Sequence, residues 1–110
     1  MGSLFYGSSP SPIDIPDRLL AHVKVVIATK LRRGESFTMS WRHPMGEQSG
    51  RSTIWIQPSI PLRFVFGAAE PETLDNALLQ TYANAANSSS GLTIDLDPHD
   101  SPAPQRADAR

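Results

Sequence analysis

The chain is predicted to fold as an α+β domain, a largely antiparallel sheet with two helices packed on one face, in the order ββ-α-βββ-α-β. Three observations predict it. Residues 17–33 set apolar side chains at helical spacing. Residues 36–42 and 62–66 alternate between apolar and polar. Residues 70–86 return to helical spacing after an acidic, proline-containing start.

Leu4-Phe5-Tyr6 and Ile13-Asp14-Ile15 are short extended segments around Gly7-Ser8-Ser9-Pro10-Ser11-Pro12. Glycine, serines and prolines make that insert a turn, so an N-terminal hairpin is expected. Asp14 or Asp17 is placed to cap the helix that follows, with Pro16 accommodated in its first turn. The helix is predicted over 17–33 and stops at Gly34, a residue suited to left-handed termination. Its core stripe is Leu19, Leu20, Val23, Val26, Ile27 and Leu31. The opposite face carries Arg18, His22, Thr29 and Arg33, so His22 is expected at the surface near Asp14, Asp17 or Arg18. Lys30, Arg32 and Arg33 fall in the last turn, where cations favour the negative end of the helix dipole.

Three strands are expected next. Phe37, Met39 and Trp41 alternate with Ser36, Thr38, Ser40 and Arg42, the pattern of a sheet with one buried face. Thr53-Ile54-Trp55-Ile56 is rich in β-formers and follows the turn-prone stretch 43–50. Leu62, Phe64 and Phe66 alternate with Arg63 and Val65, and Pro58 and Pro61 bracket the short link before them. Proximity in sequence favours an antiparallel meander of these three. A second helix is predicted from Glu70-Pro71-Glu72, burying Leu74, Ala77, Leu78, Thr81, Tyr82 and Ala85, and ending over 87–91. Residues 92–96 form a last strand. The domain is expected to span 1–97. Residues 98–110 are polar, hold prolines at 98, 102 and 104, and are expected to form a disordered tail.

Charge is segregated along the chain. The formal net charge is −1, but residues 18–63 hold eight basic side chains against Glu35 and Glu47, a net of +6. Residues 1–17 carry −2 and residues 64–110 carry −5. A basic middle beside an acidic rear points to a polyanionic partner. There are no cysteines, which removes disulfide scaffolds, thiol catalysis and cysteine-bound zinc, and suits a reducing cytoplasm. No basic segment leads into an apolar run at the N-terminus, so no signal peptide is expected. The longest apolar stretch, 25–28, falls far short of the roughly 20 residues that span a bilayer, so no membrane association is expected.

Motifs for chemistry are absent. His22, His43 and His99 lack the paired spacing of a zinc site, and Asp95, Asp97 and Asp100 do not fit a calcium loop. Gly-x-Ser-x-Gly does not occur, nor do Gly-x-x-x-x-Gly-Lys and Gly-x-Gly-x-x-Gly. No catalytic residue, metal or cofactor is therefore expected. What remains is a set of arginines: Arg42, Arg51 and Arg63, near Trp41 and Trp55, together with Arg32 and Arg33 at the helix end. If their strands are neighbours, Arg42 and Arg63 project to the face opposite Trp41, Phe64 and Phe66. Arginines on an exposed sheet with an aromatic among them form a platform for single-stranded nucleic acid. The ordinary reading stands beside it: Trp41 in the core, Trp55 partly so, and the arginines a solvated face.

The opening Met-Gly-Ser-Leu-Phe-Tyr-Gly resembles a family of short bacterial proteins of unknown function, as do Asp17-Arg18-Leu19-Leu20-Ala21-His22 and Lys30-Leu31-Arg32-Arg33. So do Arg51-Ser52-Thr53-Ile54-Trp55, the run from Pro58 to Phe64, and Ala86-Asn87-Ser88-Ser89-Ser90-Gly91-Leu92. The resemblance covers residues 1–97. Many members carry the label ATP-dependent DNA ligase, so it implies a link to DNA processing. Ligation itself needs a lysine in Lys-x-Asp-Gly, whereas Lys24 is followed by Val25-Val26-Ile27 and Lys30 by Leu31-Arg32-Arg33. Three functions follow in order of preference. The first is a small non-catalytic module that binds nucleic acid, or accompanies a DNA-processing enzyme, through its basic surface. The second is a protein-interaction or homodimerising module. The last is a ligase-type enzyme.

Overall fold

The computed structural model describes residues 1–96. The tail expected at 98–110 lies outside the described residues. The fold is α+β, with six strands and two helices in the expected order: β1 (Gly2–Tyr6), β2 (Ile13–Ile15), α1 (Asp17–Arg32), β3 (Phe37–Arg42), β4 (Arg51–Ile56), β5 (Leu62–Val65), α2 (Asn76–Ala86) and β6 (Leu92–Ile94).

The strands divide into two three-stranded sheets, ordered β2-β1-β5 and β4-β3-β6. The meander expected for β3, β4 and β5 ends after one hairpin. β3 and β4 pair antiparallel, but β5 crosses to the N-terminal hairpin and pairs with β1, Phe5 opposite Arg63. The ladder runs on by one residue past its last strand pair. Gly7 N–H donates to the Pro61 carbonyl at 2.8 Å, so the turn after β1 is fastened to the residue before β5. The remaining edge of β3 is taken by β6, in parallel, with Met39 opposite Leu92 and Trp41 opposite Ile94. The crossover to β6 runs through α2, as a parallel connection requires.

One core joins the layers. Leu4, Ile15, Leu20, Val23, Met39, Ile56 and Leu92 are fully buried, and Phe37, Trp41, Tyr82 and Ile94 nearly so. Each such large side chain contributes about 1.5–3 kcal/mol by leaving water. The two sheets share no backbone ladder. Their ends are tied by the Tyr6 hydroxyl, which donates to the Trp55 carbonyl.

α1 ends as its sequence predicts. Gly34 has φ +72°, its N–H bonds the Leu31 carbonyl, and Glu35 N–H bonds the Lys30 carbonyl, the paired bonds of a left-handed glycine cap. Its start differs from expectation. Asp17 does not cap its own helix; its carboxylate accepts from Gly67 and Ala68 N–H at 3.0 Å, clamping the segment after β5. α2 also departs from its predicted start at 70–72. It begins at Asn76, because Asp75 is held extended (φ −103°, ψ 112°) and its side chain accepts from Ala77 and Leu78 N–H. Leu74, left outside the helix, is 45% exposed.

Two polar residues of α1 lie inside, His22 against the surface position predicted for it. His22 is fully buried. Its Nδ1 meets the Arg18 carbonyl at 2.6 Å and its Nε2 accepts from Asp75 N–H at 2.8 Å. A carbonyl can only accept and an amide N–H can only donate, so the ring carries its proton on Nδ1. Lys30 is also buried. Its ammonium donates to Asn87 Oδ1 at 2.7 Å and pairs with Glu35 at 3.0 Å, in place of a purely exposed role at the helix end.

Candidate nucleic-acid interface

Register decides which basic residues meet. On β3, Phe37, Met39 and Trp41 face the core, so Thr38, Ser40 and Arg42 face outward. The ladder places Trp55 opposite Thr38, Thr53 opposite Ser40 and Arg51 opposite Arg42. β6 adds Thr93 beside Ser40. The outer face of the β4-β3-β6 sheet is therefore a strip of hydroxyls, with Ser40 and Thr53 hydrogen-bonded at 2.8 Å. Two arginines close one end and an aromatic ring closes the other. Trp55 is 51% exposed, while Trp41 on the inner face is buried. Trp55 lies four steps beyond Arg51 along β4, about 14 Å at the rise of an antiparallel strand.

The arginine pair is electrostatically unusual. Like charges directly opposite across an antiparallel pair are destabilising. Neither Arg42 nor Arg51 has a carboxylate in ion-pair range among the described residues. Asp95, exposed, lies at the border of the face, two residues beyond Thr93. Two guanidiniums thus share one edge of the sheet, held in register by their strands.

The other predicted site residues are placed elsewhere. Arg63 lies on β5 in the second sheet, its guanidinium 5.7 Å from the centre of the Phe5 ring, so it does not join Arg42. Arg32 and Arg33 are exposed at the end of α1. The run of positive charge from 18 to 63 is continuous in sequence and divided in space. Arg18 is engaged with Asp75 at 3.2 Å, and Lys24 sits 5.5 Å from the Phe66 ring.

Two other ionisable groups are shifted by their surroundings. The Asp17 carboxyl is held below its ordinary range, chiefly by the Gly67 N–H. Partial burial opposes this, and the Ala68 N–H and the nearby Met1 ammonium reinforce it. Burial pushes the Tyr82 phenol up, with Arg18 opposing and Asp95 adding to the rise. Both groups serve the scaffold. Among the described residues no group of three or more His, Asp or Glu side chains is placed to hold a metal ion. No described helix is long and apolar enough to cross a membrane.

The pairing of Arg42 with Arg51 was open to sequence reasoning, since a hairpin closing over residues 43–50 places them opposite. The signal was the symmetric spacing of two arginines about a turn. A family model, Domain of unknown function (DUF7882), matches residues 1–97. No curated protein and no solved structure matches the chain.

Proposed function

The chain belongs to that family of unknown function, and from the geometry of its outer sheet we propose that this face is a module binding single-stranded nucleic acid. The carrying observation is the Arg42–Arg51 pair, two opposed guanidiniums without carboxylate partners among the described residues, on the same open face as the half-exposed Trp55. A phosphate between the arginines turns their repulsion into attraction, and a base stacks on the indole. The hydroxyls of Ser40, Thr53 and Thr93 between them donate to phosphate or sugar. The adenylating role in a ligase finds less support. Lys24 and Lys30 lack the required Asp-Gly, and the Lys30 ammonium is already engaged by Asn87 and Glu35.

The test is fluorescence anisotropy with a labelled oligonucleotide of about ten bases, within the range such platforms cover, across a series of salt concentrations. Reversal of both Arg42→Glu and Arg51→Glu is expected to abolish binding, and Arg42→Ala with Arg51→Ala to lower the salt slope by about 1.4, at about 0.7 per lost contact. Trp55→Ala is expected to weaken binding about tenfold, the size of one lost stacking contact. Wild-type protein that leaves the oligonucleotide unbound at low salt would refute the proposal. Salt-insensitive self-association through Trp55 would then favour the homodimerising module.

A further inference from the structure

The inner face at the base of the β3–β4 hairpin carries a second, independent arrangement. His43 follows β3, and its Nδ1 meets the Gln48 carbonyl across the loop at 3.0 Å. Its Nε2 lies 2.8 Å from the Ser52 hydroxyl oxygen. The carbonyl is an acceptor only, so it fixes the proton of the neutral ring on Nδ1, and Nε2 presents a lone pair to the serine. This is the same tautomer that His22 adopts. In His22 the free lone pair is spent on the Asp75 N–H, buried in the scaffold. In His43 it faces a hydroxyl, and both residues line a cavity of about 230 Å³ between the ends of the two sheets.

We infer that Ser52 and His43 form a nucleophile–base pair able to hydrolyse small carboxylic esters, with the loop carbonyl of Gln48 orienting the imidazole. Two relations that such chemistry requires are present, a nucleophile within hydrogen-bond reach of a base and the base oriented by a third group, and a cavity adjoins both residues. The lining selects the substrate class. Asp14 and Glu47 border the cavity, no lysine or arginine among the described residues does, and Trp41 and Leu96 supply apolar wall. A phosphate ester would be repelled there. A neutral acyl ester, or one with a cationic alcohol, is accepted.

The step balances with water as the only co-reactant. Ser52 Oγ adds to the ester carbonyl carbon while its proton passes to His43 Nε2. The tetrahedral adduct re-forms the carbonyl, the bond to the alcohol oxygen breaks, and the alcohol leaves with the proton from Nε2. Water, giving a proton to the same nitrogen, then attacks the acyl carbon, and that proton returns to Ser52 Oγ as the carboxylic acid departs.

The intact protein is treated with diisopropyl fluorophosphate and the adduct is mapped by peptide mass spectrometry, with 4-nitrophenyl acetate as the ester. Modification confined to Ser52, lost on heat denaturation, with release of 4-nitrophenol, is the expected result. Ser52→Ala abolishes both signals. His43→Gln slows acylation on the order of 100-fold, the contribution of a general base, with circular dichroism unchanged. Absence of the adduct from Ser52, adducts scattered over the other serines, or a folded His43→Gln protein that reacts at the wild-type rate would overturn the inference. Where either variant unfolds, the adduct map of the unsubstituted protein decides between these outcomes.

Discussion

Replacing His22 by alanine removes a group that holds two elements at once. The ring is fully buried and spans from the Arg18 carbonyl, 2.6 Å away, to the Asp75 N–H, 2.8 Å away. Truncation leaves the Asp75 N–H without its acceptor, costing about 1–3 kcal/mol, and opens a void of imidazole size, costing about 2–5 kcal/mol by analogy with other large-to-small changes. A loss of about 4 kcal/mol is expected. That is a large share of a typical domain stability of about 5–15 kcal/mol. At about 4–8 °C per kcal/mol for a domain of this size, the thermal midpoint falls by about 16 °C or more. Urea denaturation at constant m-value measures it. Arg18→Ala is the control, since the exposed Arg18–Asp75 ion pair is worth at most about 1 kcal/mol. A His22→Ala protein within about 1 kcal/mol of wild type would refute the reasoning, as would Arg18→Ala costing as much. Ring nitrogen shifts measured by NMR are expected to show Nδ1 protonated and Nε2 bare.

Gly91→Ala is expected to destabilise by about 2 kcal/mol or more, because φ is +79° and the new carbon would lie 2.0 Å from Thr38 Oγ1; thermal melting measures it. Asp17→Asn tests the carboxylate clamp through pH. The folded value is depressed, so the stability it contributes is present above the ordinary carboxylate range and is lost as pH falls through the lower folded value. Urea midpoints of wild type and Asp17→Asn should therefore differ at neutral pH and converge in acid. The Tyr82 phenol is expected to ionise above its usual range, followed by ultraviolet absorbance, with its contribution to stability lost as pH rises through that value.

Periodicity made most elements legible. α1, β3 and the N-terminal hairpin follow from it almost to the residue, because each buries one regular face of Leu, Val, Ile, Phe or Met. Pairing was less legible. Nothing local in Leu62-Arg63-Phe64-Val65 states that its partner is β1 and not β4; that ladder joins residues about sixty apart in sequence. The start of α2 was hidden for the same reason, since Asp75 competes with Glu70 and Glu72 as a cap and wins through His22 on another helix. At the candidate site, alternation correctly sent Arg42 and Arg63 away from the core. It could not show that they belong to different sheets; the neighbour of Arg42, Arg51, follows instead from closing a hairpin over residues 43–50.

The β1–β5 ladder has a consequence for the order in which the molecule assembles. Ser3 pairs with Val65, so the chain between them is a closed loop of about sixty residues containing α1 and the whole β3–β4 hairpin. Closing such a loop costs entropy that only later contacts repay, and pairings of this separation slow folding. During synthesis the first strand leaves the ribosome early and has no second partner until residue 65 emerges. Through that interval Leu4, which ends fully buried, has the hairpin with β2 and the helix α1 for cover but lacks β5. The β1–β2 and β3–β4 hairpins each need only their own short stretch of chain, so both precede the β1–β5 ladder, which is the late step.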